Sequence, residues 1–233
     1  MRKVQLGFLS LLIATTSASG CRQEVESTDV RTSGVYPDID VRAEGDGTTR
    51  VQIRLMVGGA LSNTVLQLVG EDRLTATVGG VTKDLEDNGL SYSATFPGDA
   101  AGPIVIAFRR GAADVSAPNT TVNLPAPFSL TLGAEELSRA AGDLAYTWSP
   151  APGTGDIDVS AVGRCVALHL ETTPDDGSSS IAGDQLHAVT ANEACPVTFT
   201  LARTQSGEVD PAFTEGGRVR AHQIRTAAFI STP

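Results

Sequence analysis

The chain has 233 residues, 41% hydrophobic and 19% charged, which excludes a wholly disordered polymer, a coiled coil and a multi-span membrane protein. Its 17 basic against 27 acidic residues give a net charge of −10; so acidic a chain repels phosphate backbones, and no nucleic-acid partner is expected. Aromatics are scarce at 5%, and the three cysteines are an odd number that needs a reason.

The N-terminus offers one. Arg2 and Lys3 form a short cationic region. Val4 to Ala14 is a mostly apolar run of eleven residues, too short for the roughly 20 that cross a bilayer. Small and hydroxyl residues continue to Gly20. This is the layout of a secretory signal peptide and assigns residues 1–20 to a leader. The segment Ala18-Ser19-Gly20-Cys21 resembles the lipobox of bacterial lipoproteins, with Ala18 where that family usually has Leu. The resemblance implies cleavage before Cys21, transfer of a diacylglycerol to its thiol, and often acylation of the new amine. In that family Asp directly after the cysteine favours inner-membrane retention in some bacteria; with Arg22 there, the resemblance implies export to the outer membrane or cell surface. Ordinary leader cleavage after Gly20, leaving a soluble periplasmic or secreted protein, is the alternative. Two or three acyl chains anchor stably where one binds marginally. Losing Arg2 and Lys3 leaves 15 basic against 27 acidic residues, a balance of −12. Such a body on a lipid anchor stands off an anionic surface.

Residues 21–37 then read as the lipidated cysteine and a flexible polar tether without apolar periodicity. From Asp38 the texture changes to short apolar runs between Gly, Asp, Asn and Pro clusters. Val51, Ile53, Leu55 and Val57 alternate with Gln52, Arg54 and Met56. Leu74, Ala76 and Val78 share a face, as do Leu90, Tyr92, Ala94 and Phe96, and Ile104, Ile106 and Phe108. Turn signals stand between them at Gly58-Gly59, Gly79-Gly80, Asn88-Gly89 and Pro97-Gly98. Strands at this spacing describe an all-β sandwich or barrel. Asn88 to Ala94 resembles the tyrosine-corner run of immunoglobulin domains, which implies a Tyr92 hydroxyl bonded to the chain just upstream. A strand tyrosine with its tip in water is the alternative. Val122 to Leu124 ends the first domain, 38–124, and Pro125-Ala126-Pro127 makes a semi-rigid link.

The second domain, 125–233, repeats the logic. Phe128, Leu130 and Leu132 form one strand face, and Leu144, Tyr146 and Trp148 another. The run Asp143 to Pro152 resembles the second strand of fibronectin type III domains; this implies a sandwich with Trp148 as core anchor. No matching Tyr-x-Val-x-Tyr strand comes after it. Ala134 to Ala141 reads as a polar loop with one helical turn. Val166, Leu168 and Leu170 face one way, and Val197, Phe199 and Leu201 form a late strand. Val219, Ala221 and Ile224 switch parity, which suggests a bulge near Gln223. The expected fold is therefore all-β, two tandem immunoglobulin-like antiparallel sandwiches.

With Cys21 assigned to lipid, Cys165 and Cys195 remain, and a disulfide is the natural reading in an exported chain. The loop it closes is worth about 3.5 kcal/mol in the chain-entropy model. By parity Cys165 faces outward and Cys195 inward, so the bond belongs at a strand end. His169, His187 and His222 lack zinc-ligand spacing, and no metal or other cofactor is expected. Acidic pairs at Asp38/Asp40, Glu44/Asp46, Glu86/Asp87, Asp156/Asp158 and Asp175/Asp176 lack a calcium-loop pattern and read as solvated turns. Gly177 to Ser180 reads as a flexible turn, and Asn119-Thr120-Thr121 as a loop. Arg218, Arg220 and His222 share a strand face: an anion-binding stripe, or, preferred, charge protecting a sheet edge. No nucleophile elbow, phosphate loop or His-Glu-x-x-His motif points to catalysis. The expected function is a non-catalytic binding or adhesion role for a lipid-anchored envelope protein, with the membrane and a protein or glycan as partners. A structural spacer in an envelope assembly is the alternative; a secreted enzyme or calcium-binding domain comes after it.

Overall fold

Alternation becomes strand almost wherever the sequence carries it. The computed structural model describes residues 23–233 apart from 100, 112–113, 152–154 and 191, so the leader and Cys21 lie outside the described residues. Among the described residues there are eighteen strands and no α-helix. The first ten are β1 (Gln23–Glu26), β2 (Val35–Ala43), β3 (Thr48–Val57), β4 (Thr64–Gln67), β5 (Arg73–Val78), β6 (Val81–Asp84), β7 (Glu86–Asp87), β8 (Tyr92–Pro97), β9 (Gly102–Arg109) and β10 (Ala117–Leu124). The rest are β11 (Ser129–Leu132), β12 (Glu136–Ser138), β13 (Asp143–Ser149), β14 (Asp156–Gly163), β15 (Val166–Pro174), β16 (Ser178–Ala182), β17 (Cys195–Ser206) and β18 (Arg218–Thr232).

One large sheet runs β1-β4-β3-β2-β18-β17-β14-β15, with β7 and β8 beside β3 and β12 beside β18. A four-stranded sheet, β10-β9-β5-β6, contributes the apolar residues that complete a first core. A three-stranded sheet, β11-β13-β16, does the same for a second. The fold is thus an all-β sandwich architecture. The first core brings Val41, Ile53 and Phe96 together with Leu74, Ile106 and Phe108. The second brings Val159, Phe199 and Phe229 together with Leu144, Tyr146, Trp148 and Ile181. Gly79 and Gly80 close the β5–β6 hairpin at φ of 56° and 80°, a left-handed pair that side chains resist.

β18 links the two cores. Arg218–Gln223 pairs in parallel with β2, and Arg220–Ser231 pairs antiparallel with β17. Val219 and Ala221 lie in the first core and Phe229 in the second. Phe213 also returns to the first core, where it stacks on Phe108 at 5.9 Å. Phe213, Val219 and Ala221, which fall within the expected second domain 125–233, thus pack in the first core. The expected bulge near Gln223 is not there: pairing with β17 runs unbroken. The inner face simply turns polar between the cores. Gln223, fully buried, donates to Asp99 O at 2.5 Å.

Five other expectations fail for local reasons. The tether begins as structure already at Gln23, because β1 pairs with β4 and Arg110 fastens the stretch from Ser27 to Thr32. The Arg110 guanidinium donates to Ser27 O at 2.6 Å, Val30 O at 3.1 Å and Thr32 Oγ1 at 3.0 Å. Ala134 to Ala141 holds strand β12, paired with the end of β18, where exposed backbone finds a partner that one helical turn lacks. Ser178 to Ala182 and Asn119 to Thr121 are likewise strand, with Ile181 and Thr120 buried. Leu168 and Leu170 face water at 59% and 69% exposure although Val166 is buried. A register shift between β14 and β15 near Gly163 reverses the parity and turns His169 and Glu171 inward.

Tyr92 is buried, but its hydroxyl does not bond just upstream. It donates to Leu66 O at 3.1 Å and accepts from Leu68 N at 2.9 Å, holding the end of β4. Leu90, expected on the same face, lies in the turn before β8 and is 65% exposed.

Candidate binding groove on the sheet face

The outer face of the large sheet collects charges that the sequence spreads over 180 residues. Pairing sets the rows. Arg218 stands opposite Asp38, which stands opposite Arg54; Arg220 stands opposite Asp40, which stands opposite Gln52. Neighbours on adjacent strands and one face are within reach of each other. Arg218 Nε meets Asp38 Oδ1 at 2.6 Å, and Arg54 Nη2 meets Asp38 Oδ2 at 2.6 Å. His222 Nε2 lies 2.8 Å from Asp40 Oδ1, and Arg42 Nη2 3.1 Å from Asp40 Oδ2. Thr204 Oγ1 lies 2.9 Å from Asp158 Oδ2 and 3.0 Å from His222 Nδ1, so its one proton serves one of them at a time.

These contacts set the electrostatics. The hydrogen bond from Arg218 holds Asp38 below the usual carboxylate range against its burial, with help from Arg54. Burial pushes Asp40 up, but the hydrogen bond and charge of His222, with Arg42 and Arg220, outweigh it and hold it at about 2. Both acids are ionised and matched. The preferred reading of Arg218, Arg220 and His222 as edge protection fails, because β18 is central, between β2 and β17. The Asp38/Asp40 pair is not a solvated turn but the partner of that cationic row.

Beside this row lies a groove of about 470 Å³. Asp38, Asp40, Gln52, Arg54 and Arg220 supply its polar floor; Met56, Val65 and Leu90 form an apolar wall; Ser62 and Asn63 form the rim. The Arg220 Nε is buried without a hydrogen-bond partner. The groove's volume is in the range of small-ligand clefts, and its lining is mainly polar with one apolar side.

The other residues that the sequence singles out are dispersed. Cys165 and Cys195 form a disulfide, Cα atoms 5.9 Å apart, at the β14–β15 turn and the start of β17. Both are buried in the second core. His169 Nε2 lies 3.2 Å from Glu171 Oε2, and the Tyr146 hydroxyl donates to Glu171 Oε1 at 3.1 Å. Burial pushes that hydroxyl up to about 12. His187 is exposed in the segment between β16 and β17. Among the described residues no three His, Cys, Asp or Glu side chains are placed to hold a metal ion. Asp175 is no solvated carboxylate: it accepts from Trp148 Nε1 at 2.6 Å and pairs with Arg203 Nε at 2.7 Å, all buried. Arg203 also donates to Ala126 O at 3.0 Å and stacks on Phe128 at 4.7 Å, fixing the link between the cores.

Sequence reasoning misses Gln52, Arg54, Met56, Val65 and Leu90 as site residues. The alternation of β3 does place Gln52, Arg54 and Met56 on one face. What the sequence does not carry is the parallel pairing of β2 with β18, which brings the far end of the chain beside them.

No family model and no curated protein matches the chain. Among solved structures, one described as "Structural insight into host cell surface retention of a 1.5-MDa bacterial ice-binding adhesin" aligns at 12% identity with a TM-score of 0.23. The alignment covers 87% of this chain and 66% of that one. A score that low bears on no residue or activity; the all-β assignment stands on the strands themselves.

Proposed function

We propose that the chain is an exported, lipid-anchored envelope protein with a non-catalytic binding or adhesion role, and that the sheet-face groove receives its protein or glycan partner. The groove carries this reading. Fixed carboxylates, guanidiniums and an amide beside the apolar side chains of Met56 and Val65 can orient a polar ligand while covering its less polar side. The leader and the lipobox resemblance at Cys21 supply the address. A buried disulfide suits an oxidising compartment. A carboxylate held at about 2, as Asp40 is, stays ionised and can accept charge-assisted hydrogen bonds from a ligand. The spacer reading draws support from β18, a 15-residue strand that serves both cores without a break and so couples them stiffly.

The test places a photo-crosslinking residue at Gln52, exposed on the groove floor, in cells that make the full chain. The expected result is a discrete adduct that disappears when Arg54→Ala and Arg220→Ala are combined. An adduct pattern unchanged by the pair removes the groove as the site. Fractionation of the same cells with Cys21→Ser is expected to show loss from the membrane fraction; a wild-type chain already soluble removes the anchor.

A further inference from the structure

The chain enters the fold through β1, which carries the exposed Glu24 and Glu26, beside an exposed turn that has no charged side chain. β1 runs parallel to β4 with Gln23 opposite Thr64, and Gln23 N donates to Asn63 O at 3.4 Å. The stretch leading into β4, Gly58-Gly59-Ala60-Leu61-Ser62-Asn63, contains no charged side chain. Leu61 on it is wholly exposed. Leu90, 65% exposed, borders the same groove as Ser62 and Asn63. Single exposed leucines are ordinary. Two that flank the entry of a chain in which Cys21 stands two residues before Gln23 are better placed than chance requires. Covalent geometry keeps the Cys21 Cα within about 7 Å of the Gln23 Cα, and β1 leaves no slack beyond it.

We propose that the β3–β4 turn and Leu90 form a membrane-contact tip, with Leu61 and Leu90 seated at the headgroup–acyl boundary of the bilayer that holds the Cys21 lipid. The proposal rests on the anchoring reading above and adds a pose to it. Apolar side chains at that depth leave water and add to the lipid's hold. The surface it fits is zwitterionic. Glu24 on β1 and Asp87 before the Leu90 turn line one small cavity with Leu90, and an anionic leaflet repels them. In this pose the Ser62–Asn63 rim of the groove lies nearest the bilayer, and β15 is at the opposite edge of the large sheet.

The full chain, made with its leader in a bacterial host, is purified in detergent and reconstituted into phosphatidylcholine vesicles that contain dibrominated phosphatidylcholine. Leu61→Trp and Leu90→Trp each add a reporter to Trp148, which is buried in the second core and serves as background. Leu170→Trp, on exposed β15, is the control. The expected result is loss of the added emission for Leu61→Trp and Leu90→Trp and none for Leu170→Trp. The mass of the N-terminal peptide is read on the same preparation. Acylated Cys21 without quenching at either tip position overturns the tip and leaves the anchor standing. Unmodified Cys21 overturns the anchor and the tip together. Equal quenching of Leu170→Trp overturns the pose.

Discussion

Asp38 and Arg218 are 180 residues apart in the chain and joined by two contacts, of 2.6 and 3.1 Å. The carboxylate is 5% exposed, whereas Arg218 and its companion Arg54 are half in water at 50% and 53%. A half-exposed guanidinium loses little when removed alone, up to about 1 kcal/mol, because the other still satisfies Asp38. Removing both leaves a buried charge unpaired, for which about 3 kcal/mol is the scale. Arg218→Ala and Arg54→Ala are therefore expected to be mild singly and more than additive together in urea unfolding.

Asp40 gives the fold a defined acid response. Its carboxyl titrates at about 2 when folded and at about 3.9 in an unfolded chain. A depressed folded pKa contributes stability that is complete above the unfolded value and is lost as pH falls through the folded one. The wild type is thus expected to lose stability between about pH 4 and pH 2. Asp40→Asn lacks that part of the slope. Urea midpoints measured across the window check it: the two curves approach each other toward pH 2. Parallel curves count against the His222 and arginine contacts as the cause.

How much of the fold and groove is legible in the sequence shows in particular residues. Val51, Ile53 and Leu55, Leu144, Tyr146 and Trp148, and Val197, Phe199 and Leu201 announce strands because alternation is local, and all are buried. The Cys165–Cys195 bridge comes from counting. Leu168 and Leu170 mislead because one register shift reverses a whole face. Asp38/Asp40 and Arg218/Arg220/His222 are both visible as charge clusters, but nothing short of the β2–β18 pairing says that they meet. Asp175 reads as a turn acid because Arg203, its buried partner, lies 28 residues on.

That second pair has its own prediction. Arg203 and Asp175 are 5% and 4% exposed, and Asp175 also takes the Trp148 Nε1 proton. Asp175→Ala strands a buried guanidinium and an indole donor at once, and roughly 3–5 kcal/mol is expected. Arg203→Met leaves Asp175 one remaining donor, Trp148, and is expected to cost somewhat less. The double variant falls short of the sum, since each single change already breaks the pair. Thermal melts of the four chains complete the cycle. Strict additivity means that the pair carries no coupling.

Arg110 controls the N-terminal segment more than the whole fold. Its side chain is 3% exposed and pairs with Asp72 at 2.8 Å and Asp114 at 3.1 Å. From there it reaches three acceptors between Ser27 and Thr32, which otherwise hold few apolar residues. The strands of the first core hold each other through their own pairing and need none of these bonds. Arg110→Met is therefore expected to release residues 23–34 while the cores persist, a local opening of the kind hydrogen exchange resolves. Amides from Val30 to Gly34 should exchange faster by orders of magnitude, since each 1.4 kcal/mol lost is about tenfold. Those of β9 should change little. Uniform acceleration across both cores contradicts a local role for Arg110. No acceleration at residues 30–34 means that the β1–β4 pairing and the bonds of Ser27 and Thr32 to Val69, Asp114 and Val115 hold the segment without Arg110.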